Sequence, residues 1–395
     1  RTGSGWYGQD IGRKEEKVKL AAQDCLLSSY TENFDSLLFC GWSKPFDLYL
    51  SKDFEKAEKV AGHVAGLRSV DLEKGTFFYM DSENQLYFYD QGEEELIAKD
   101  CTGFFDGPEL SPYVNNGFSR YYDDYTDLRN KSGDFSGVLL YQKVLSGEGE
   151  QKGAYFLYAD GEEHDLGLEG WTIDRWLFDA QHDLLYLSGY EGAAEEGAES
   201  KLMSVDLSDR DAQAVEYVEN AVLELVYDGN VYYLQDWNVG DGGDLYRNGE
   251  FVCDDVTEVW AVPGSGAVVA VTDYEREWGS VTGTLNLLPE DGGDEVEIGT
   301  DVHLGTIPFA AYGEDCIFML SDYSIERESG DLLYYDGERT RTLERDVNAY
   351  FCDYEGEDLK VSLMGKTRWG VSWFSSNFVQ VDMAIDQIEN LSRED

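Results

Sequence analysis

Basic residues are scarce in this sequence: 30 Lys and Arg stand against 81 Asp and Glu over 395 residues, a formal net charge of −51. A surface of that sign repels nucleic-acid phosphates and anionic membranes, so both are excluded as partners, while cationic groups and divalent ions are favoured. The acids are scattered along the chain, which reads first as a solvated, secreted or salt-adapted surface. Long apolar runs are missing too. The longest, such as GAVVAV (266–271), fall far short of the ~20 residues that span a bilayer. No stretch has the form of a signal peptide, and the opening at Arg1 rather than Met predicts a soluble segment whose targeting or anchoring part lies elsewhere.

Signatures of catalysis and metal binding are also lacking. The six cysteines (Cys25, Cys40, Cys101, Cys253, Cys316, Cys352) include no C-x-x-C pair, against a zinc ribbon or a thioredoxin-like centre. Buried thiols in strands are expected, with one or two disulfides left open if the chain is extracellular. His63, His164, His182 and His303 lie far apart, and turn or strand-end roles are expected for them. There is no H-E-x-x-H, no G-x-S-x-G elbow and no G-x-x-x-x-G-K-[ST] loop, so a zincin, an attached α/β-hydrolase and a P-loop are excluded. Amphipathic helices are absent except for AIDQIENLS (384–392).

What the chain has in quantity is glycine (42), aromatic residues (14%) and a repeated sentence. An apolar strand is followed by a polar gap. A Leu/Tyr-rich strand then ends at Asp-Gly or Asn-Gly, and a third strand closes on an acid. The apolar strands are SLLFCGW (from 36), TFFYMD (76), GVLLYQKV (137), LLYLSGY (184), NVYYLQDW (230), AVVAVTDY (267), CIFMLSD (316) and LKVSLMG (359). Their spacing, roughly 36 to 61 residues, is that of propeller blades with loops of variable length. Asp-Gly and Asn-Gly suit two-residue hairpin turns, because both central residues need positive φ. Leading strands such as LRSVDLE (67–73), AVLELVYD (221–228), TEVWAVPG (257–264) and NAYFCDYEG (348–356) bring each unit to four. The fold expected is an all-β propeller of four-stranded blades, eight of them; seven, with one unit spent as a lid, is the alternative. LYFYDQGEEELIAKDC (86–101) and LLYYDGERTRTLERDV (332–347) are then scaffolding.

Closure is expected where EEKVKLAAQDC (15–25), which is similar to EEELIAKDC (93–101), supplies the outer strand of a last blade whose other three strands are C-terminal, ending in NFVQVDMAID (377–386). Residues 15–386 would form one domain between short tails, 1–14 and 387–395. Units of the form (V/L)YY…LYYYDG-E-x-x-L-x-x-DV resemble those of extracytoplasmic propellers of Gram-positive anaerobic bacteria, a group loosely related to TolB-like and YWTD propellers. The resemblance covers nearly the whole chain and implies a cell-envelope location with an N-terminal membrane tether. It implies no catalytic residues, and the nearest stretch to a YWTD tetrad is NVYYLQDW.

Two loops suggest binding. DWNVGDGGD (236–244) places Asp236, Asn238, Asp241 and Asp244 in one glycine-rich loop able to offer calcium several oxygens, although Gly240 stands where an EF-hand has a ligand. A polar hairpin is the simpler reading of this loop. YYDDYTDLRNKSGD (121–134) offers Asp123, Asp124 and Asp127 at poorer spacing. The longest gap, 103–135, carries Tyr113, Phe118, Tyr121, Tyr122 and Tyr125, aromatics able to stack on a sugar or anchor a protein; Phe104 and Phe105 are assigned to a leading strand. Trp237 and Trp278 are further candidates for that role. Asp236 and Asp273, each just after an apolar strand, are the nearest candidates for a glycosidase-like carboxylate pair, with turn capping the preferred reading. The expectation is a monomeric, non-catalytic, extracellular or cell-surface recognition or scaffolding module for a protein or glycan. The alternatives are a carbohydrate-active enzyme using axial carboxylates and a calcium-stabilised structural envelope protein.

Overall fold

The computed structural model describes residues 6–8, 18–21, 25–31, 35–41, 44–53, 55–105, 137–144, 153–159, 161–179, 182–192, 200–209, 211–238, 242–262, 265–277, 280–290, 292–304, 308–311, 313–324, 326–327, 329–355, 358–365 and 377–384. Among them the regular elements are β-strands, 31 in number. The chain divides into two compact units, 1–229 and 230–395.

In the first unit, β1 (Trp6–Gly8) pairs antiparallel with β2 (Val18–Ala21). A meander of seven strands follows: β3 (Cys25–Tyr30), β4 (Ser36–Gly41), β5 (Phe46–Lys52), β6 (Glu58–Asp71), β7 (Thr76–Asp81), β8 (Leu86–Asp90) and β9 (Glu93–Ala98). β6 serves two groups of four. Its stretch Glu58 to Val64 pairs with β5, and Val64 to Asp71 pairs with β7. Two four-stranded meanders come next, β10 (Cys101–Phe105), β11 (Leu139–Val144), β12 (Gly153–Ala159) and β13 (Glu162–Asp165), then β14 (Trp171–Asp179), β15 (Leu184–Glu191), β16 (Lys201–Asp206) and β17 (Val215–Glu219). β18 (Ala221–Tyr227) ends the unit.

The second unit opens with β19 (Asn230–Asn238), β20 (Gly242–Arg247) and β21 (Glu250–Val256), paired in that order. β22 (Glu258–Ala261), β23 (Val268–Glu277), β24 (Ser280–Leu288) and β25 (Val296–His303) form the next meander. β26 (Phe309–Ala311), β27 (Ile317–Ser324), β28 (Ser329–Tyr335) and β29 (Thr340–Glu355) form another, which β29 extends through β30 (Asp358–Gly365) to β31 (Asn377–Ala384). Here too one long strand changes partner: β29 pairs with β28 up to Val347 and with β30 from Val347 onward.

Packing explains why the central strands are apolar without alternation. In β12, Ala154, Phe156 and Tyr158 join a core with Phe78, Leu86, Leu139 and Tyr141, while Tyr155, Leu157 and Ala159 join another with Leu140, Trp176, Leu185 and Leu187. The sheet is therefore buried on both faces by its neighbours in the sequence. Val268 to Val271 of β23 are likewise fully buried. Each such side chain contributes about 1.5–3 kcal/mol of burial.

The outer strands are edges, and many of their exposed positions are acidic: Glu93 to Glu95 on β9, Glu163 and Asp165 on β13, Glu216 and Glu219 on β17, Glu250 and Asp254 on β21, beside exposed Leu96, Val215, Tyr217 and Phe251. Charge of this kind discourages strand addition from another chain. Tyrosines tie some of these acids down. Tyr79 on β7 donates its hydroxyl to Glu94, and Tyr141 on β11 donates to Glu163, which also holds Lys143 at 2.7 Å. Tyr158 reaches Glu95 at 3.1 Å.

All eight apolar segments of the repeat are strands, namely β4, β7, β11, β15, β19, β23, β27 and β30. The turns follow their chemistry in part. Asn248 and Gly249 take φ of 52° and 89°, as a two-residue hairpin requires. At Asp336-Gly337 the turn is longer: Gly337 carries the positive φ, 84°, and Asp336 Oδ1 accepts the N–H groups of Glu338 and Arg339 at 3.1 and 2.9 Å. The segment expected to clasp the last blade contributes β2, whose described pairing is with β1. Among the described residues no sheet closes on itself, and 385–392 of the expected helix lie outside them. Cys101, Cys253 and Cys316 are buried thiols, as expected.

Candidate functional site

Three strands of the second unit end alike. β19 runs into Gln235-Asp236-Trp237, β23 into Thr272-Asp273-Tyr274 and β27 into Ser321-Asp322-Tyr323. At each, the register against the next strand slips, between Gln235 and Asn238, Thr272 and Glu275, and Ser321 and Ser324. These are β-bulges, which bend a strand and re-aim its side chains. The central aspartate is left-handed every time, with φ of 51°, 50° and 51°. Asp tolerates that region better than most residues.

The facing strand meets each bulge with a glycine. A β-carbon on Gly243 would lie 2.7 Å from the Gln235 carbonyl oxygen, one on Gly283 would lie 3.0 Å from that of Thr272, and one on Gly330 would overlap that of Ser321. Across its other edge each glycine pairs with a buried valine, Val256, Val302 or Val347. The residue before each valine is again a left-handed aspartate, Asp255, Asp301 or Asp346, with φ of 56°, 52° and 58°. The unit thus repeats one motif three times and presents six exposed aspartates with it.

The aromatic residue differs between copies. Trp237 is 44% exposed, unusual for so large a ring, while Tyr274 and Tyr323 are half-buried. Tyr323 stacks on the imidazole of His303, with centroids 4.1 Å apart and planes 17° from parallel. Nδ1 of His303 is buried without a hydrogen-bond partner among the described residues, and burial holds its pKa below the ordinary imidazole value.

Of the calcium candidates, Asp236 and Asn238 are exposed at the first bulge, Asp244 stands opposite Gln235 on β20, and Asp241 lies outside the described residues. Among the described residues no three His, Cys, Asp or Glu side chains are grouped as a metal site needs. Asp236 and Asp273, weighed as a carboxylate pair, occupy equivalent places on two different strands, both exposed. Tyr113, Phe118, Tyr121, Tyr122, Tyr125 and Trp278 lie outside the described residues, as do Asp123, Asp124 and Asp127; Phe104 and Phe105 fall in β10, the leading strand of its sheet. His182 sits in its turn with Nδ1 2.8 Å from Oδ2 of buried Asp179. No hydroxyl or thiol among the described residues is hydrogen-bonded to that imidazole, so a nucleophile–base pair is not assembled there.

Sequence reasoning found Asp236, Trp237 and Asp273 separately and missed Tyr274, Asp322, Tyr323 and the Asp-Val partners. The signal was present. Q-D-W, T-D-Y and S-D-Y each close an apolar strand, and C-D-D-V, G-T-D-V and E-R-D-V recur after them.

No protein-family profile and no curated protein matches the sequence. Among solved structures the chain is similar to a puromycin hydrolase, at 10% identity and a TM-score of 0.39, over 86% of this chain and 58% of that one. It is similar to a eukaryotic initiation factor at 10% identity and a TM-score of 0.44, over 87% and 82%. The β-propeller domain of the Trilobed protease from Pyrococcus furiosus is similar at 12% identity and a TM-score of 0.36, over 77% and 89%. The chain spans 58% of the length of the puromycin hydrolase. No activity is carried over from these likenesses.

Proposed function

We propose that the chain is a β-propeller of eight four-stranded blades, closed by an N-terminal strand, that serves at the outer surface of a bacterial cell as a non-catalytic recognition module for a protein or glycan. The recurring four-stranded meanders, packed on their neighbours within each unit, support the architecture. The observation that carries the function is the repeated acidic–aromatic bulge, whose first copy leaves the Trp237 ring exposed between Asp236 and Asn238. An indole set among carboxylates suits a ligand with an apolar or sugar face and positive or hydroxyl groups around it. Backbone bulges with glycines packed behind them hold this display rigid, which lowers the entropy lost on binding.

The test incubates the chain with cell-wall and host polysaccharides and with native envelope extract, with calcium or with chelator, scoring retention and released reducing ends. Retention without release, weakened by Trp237→Ala, is the expected result. Released sugar would replace the reading with a glycosidase, and loss of retention under chelator would show that retention needs a divalent ion.

A further inference from the structure

A second feature of the 230–395 unit lies apart from the bulges. A shallow pocket of about 180 Å³ opens between the β20–β21 hairpin and the loop from β24 to β25. Leu288, Pro289 and Val252 give it an apolar wall, and Arg247, Asp294 and Glu295 supply charge. Arg247 ends β20 across from Tyr232, and Asn248 fixes that end by accepting the Val231 N–H at 2.9 Å. The loop is fitted to the guanidinium: Gly292 has φ of 75°, and a β-carbon there would lie 3.0 Å from the Arg247 Nη2.

The charges in this pocket do not satisfy one another. Among the described residues no carboxylate lies within ion-pair reach of Arg247, in a chain where acids outnumber bases 81 to 30. Glu295 keeps part of its side chain in water, yet partial desolvation and then the Asp254 carboxylate raise its pKa. A planar guanidinium with no carboxylate partner among the described residues is suited to a carboxylate held by two parallel hydrogen bonds. Two carboxylates, Asp294 and Glu295, line the same pocket and are suited to an ammonium group.

We infer that this pocket binds a small zwitterion of the α-amino-acid class, its carboxylate on Arg247, its ammonium on Asp294 and Glu295, and its apolar side chain against Leu288, Pro289 and Val252. The volume admits one amino acid.

Titration calorimetry on the whole chain tests this with alanine, valine, leucine and methionine, and with the two half-ligands of leucine, 4-methylpentanoate and 3-methylbutylamine. Saturable binding of at least one amino acid is expected, with both half-ligands at least ten-fold weaker. Arg247→Gln and Glu295→Gln should each weaken the amino acid at least ten-fold, with the fold checked by near-ultraviolet circular dichroism. The inference is overturned if none of the amino acids binds at about 10 mM, if 4-methylpentanoate binds as tightly as leucine, or if folded Arg247→Gln binds as the unaltered chain does. The wild-type comparison stands alone should a variant fail to fold.

Discussion

Gly243 presses against the carbonyl of Gln235 so closely that a β-carbon would sit 2.7 Å from that oxygen and 2.9 Å from the α-carbon of Trp237. The bulge that aims Trp237 therefore depends on an absent side chain on the neighbouring strand. Gly330 stands in the same relation to Ser321 and Tyr323, and Gly283 more loosely to Thr272. Alanine at these sites should cost stability in the order Gly330, Gly243, Gly283, with about 1–3 kcal/mol for the first two. Urea unfolding of the three variants measures the order; equal effects would show that the bulges yield freely.

Trp237 is a different case, since its ring is 44% exposed. Trp237→Ala should shift unfolding by less than about 0.5 kcal/mol, as surface substitutions do, while reducing retention on the partner several-fold. A large loss of stability would make the ring structural and remove it from the recognition surface.

His303 gives the unit an acid sensitivity of definite sign. Its folded pKa is lowered by burial, so unfolded chains take up a proton that folded ones refuse. The stability that depends on neutral His303 is present above the unfolded value, about 6.5, and is lost as pH falls from there through the folded pKa. His303→Phe keeps a ring against Tyr323 and should flatten the fall in melting temperature between about pH 6.5 and 5. An unchanged slope would place the acid sensitivity in the carboxylates.

The buried thiols should be inert in the native protein. Burial raises Cys101 to about 11, and Cys253 and Cys316 to about 12, so the reactive thiolate is rare at neutral pH. Alkylation by iodoacetamide at pH 7.5, followed by peptide mass mapping, should label these three only after denaturant is added. Rapid native labelling of Cys253 would mean that β21 opens readily.

Local patterns carried the strands. Period and composition marked all eight apolar segments, and the division between LLYYDGERTRTLERDV (332–347) and NAYFCDYEG (348–356) falls where β29 changes partner. The paired bulges were not legible, because Asp236 and Asp273 look like ordinary turn acids until the register slips beside them are seen. A glycine such as Gly330 reads as a weak strand residue, and only the carbonyl packed on it explains its presence. The Arg247 pocket joins residues some forty positions apart, across a hairpin and a loop whose approach no short window encodes.

The junction from one meander to the next is built in one way at six places. A single left-handed residue, His63, Asp100, Asn220, Asp255, Asp301 or Asp346, is followed at once by a buried Val64, Cys101, Ala221, Val256, Val302 or Val347. A left-handed residue followed directly by a buried one cannot absorb an insertion between the two, because one added position would turn the buried side chain outward. Length variation between repeats is thereby driven into the hairpin tips. The joints act as fixed splice points, so the chain can grow, shrink or be recombined by whole modules cut between them.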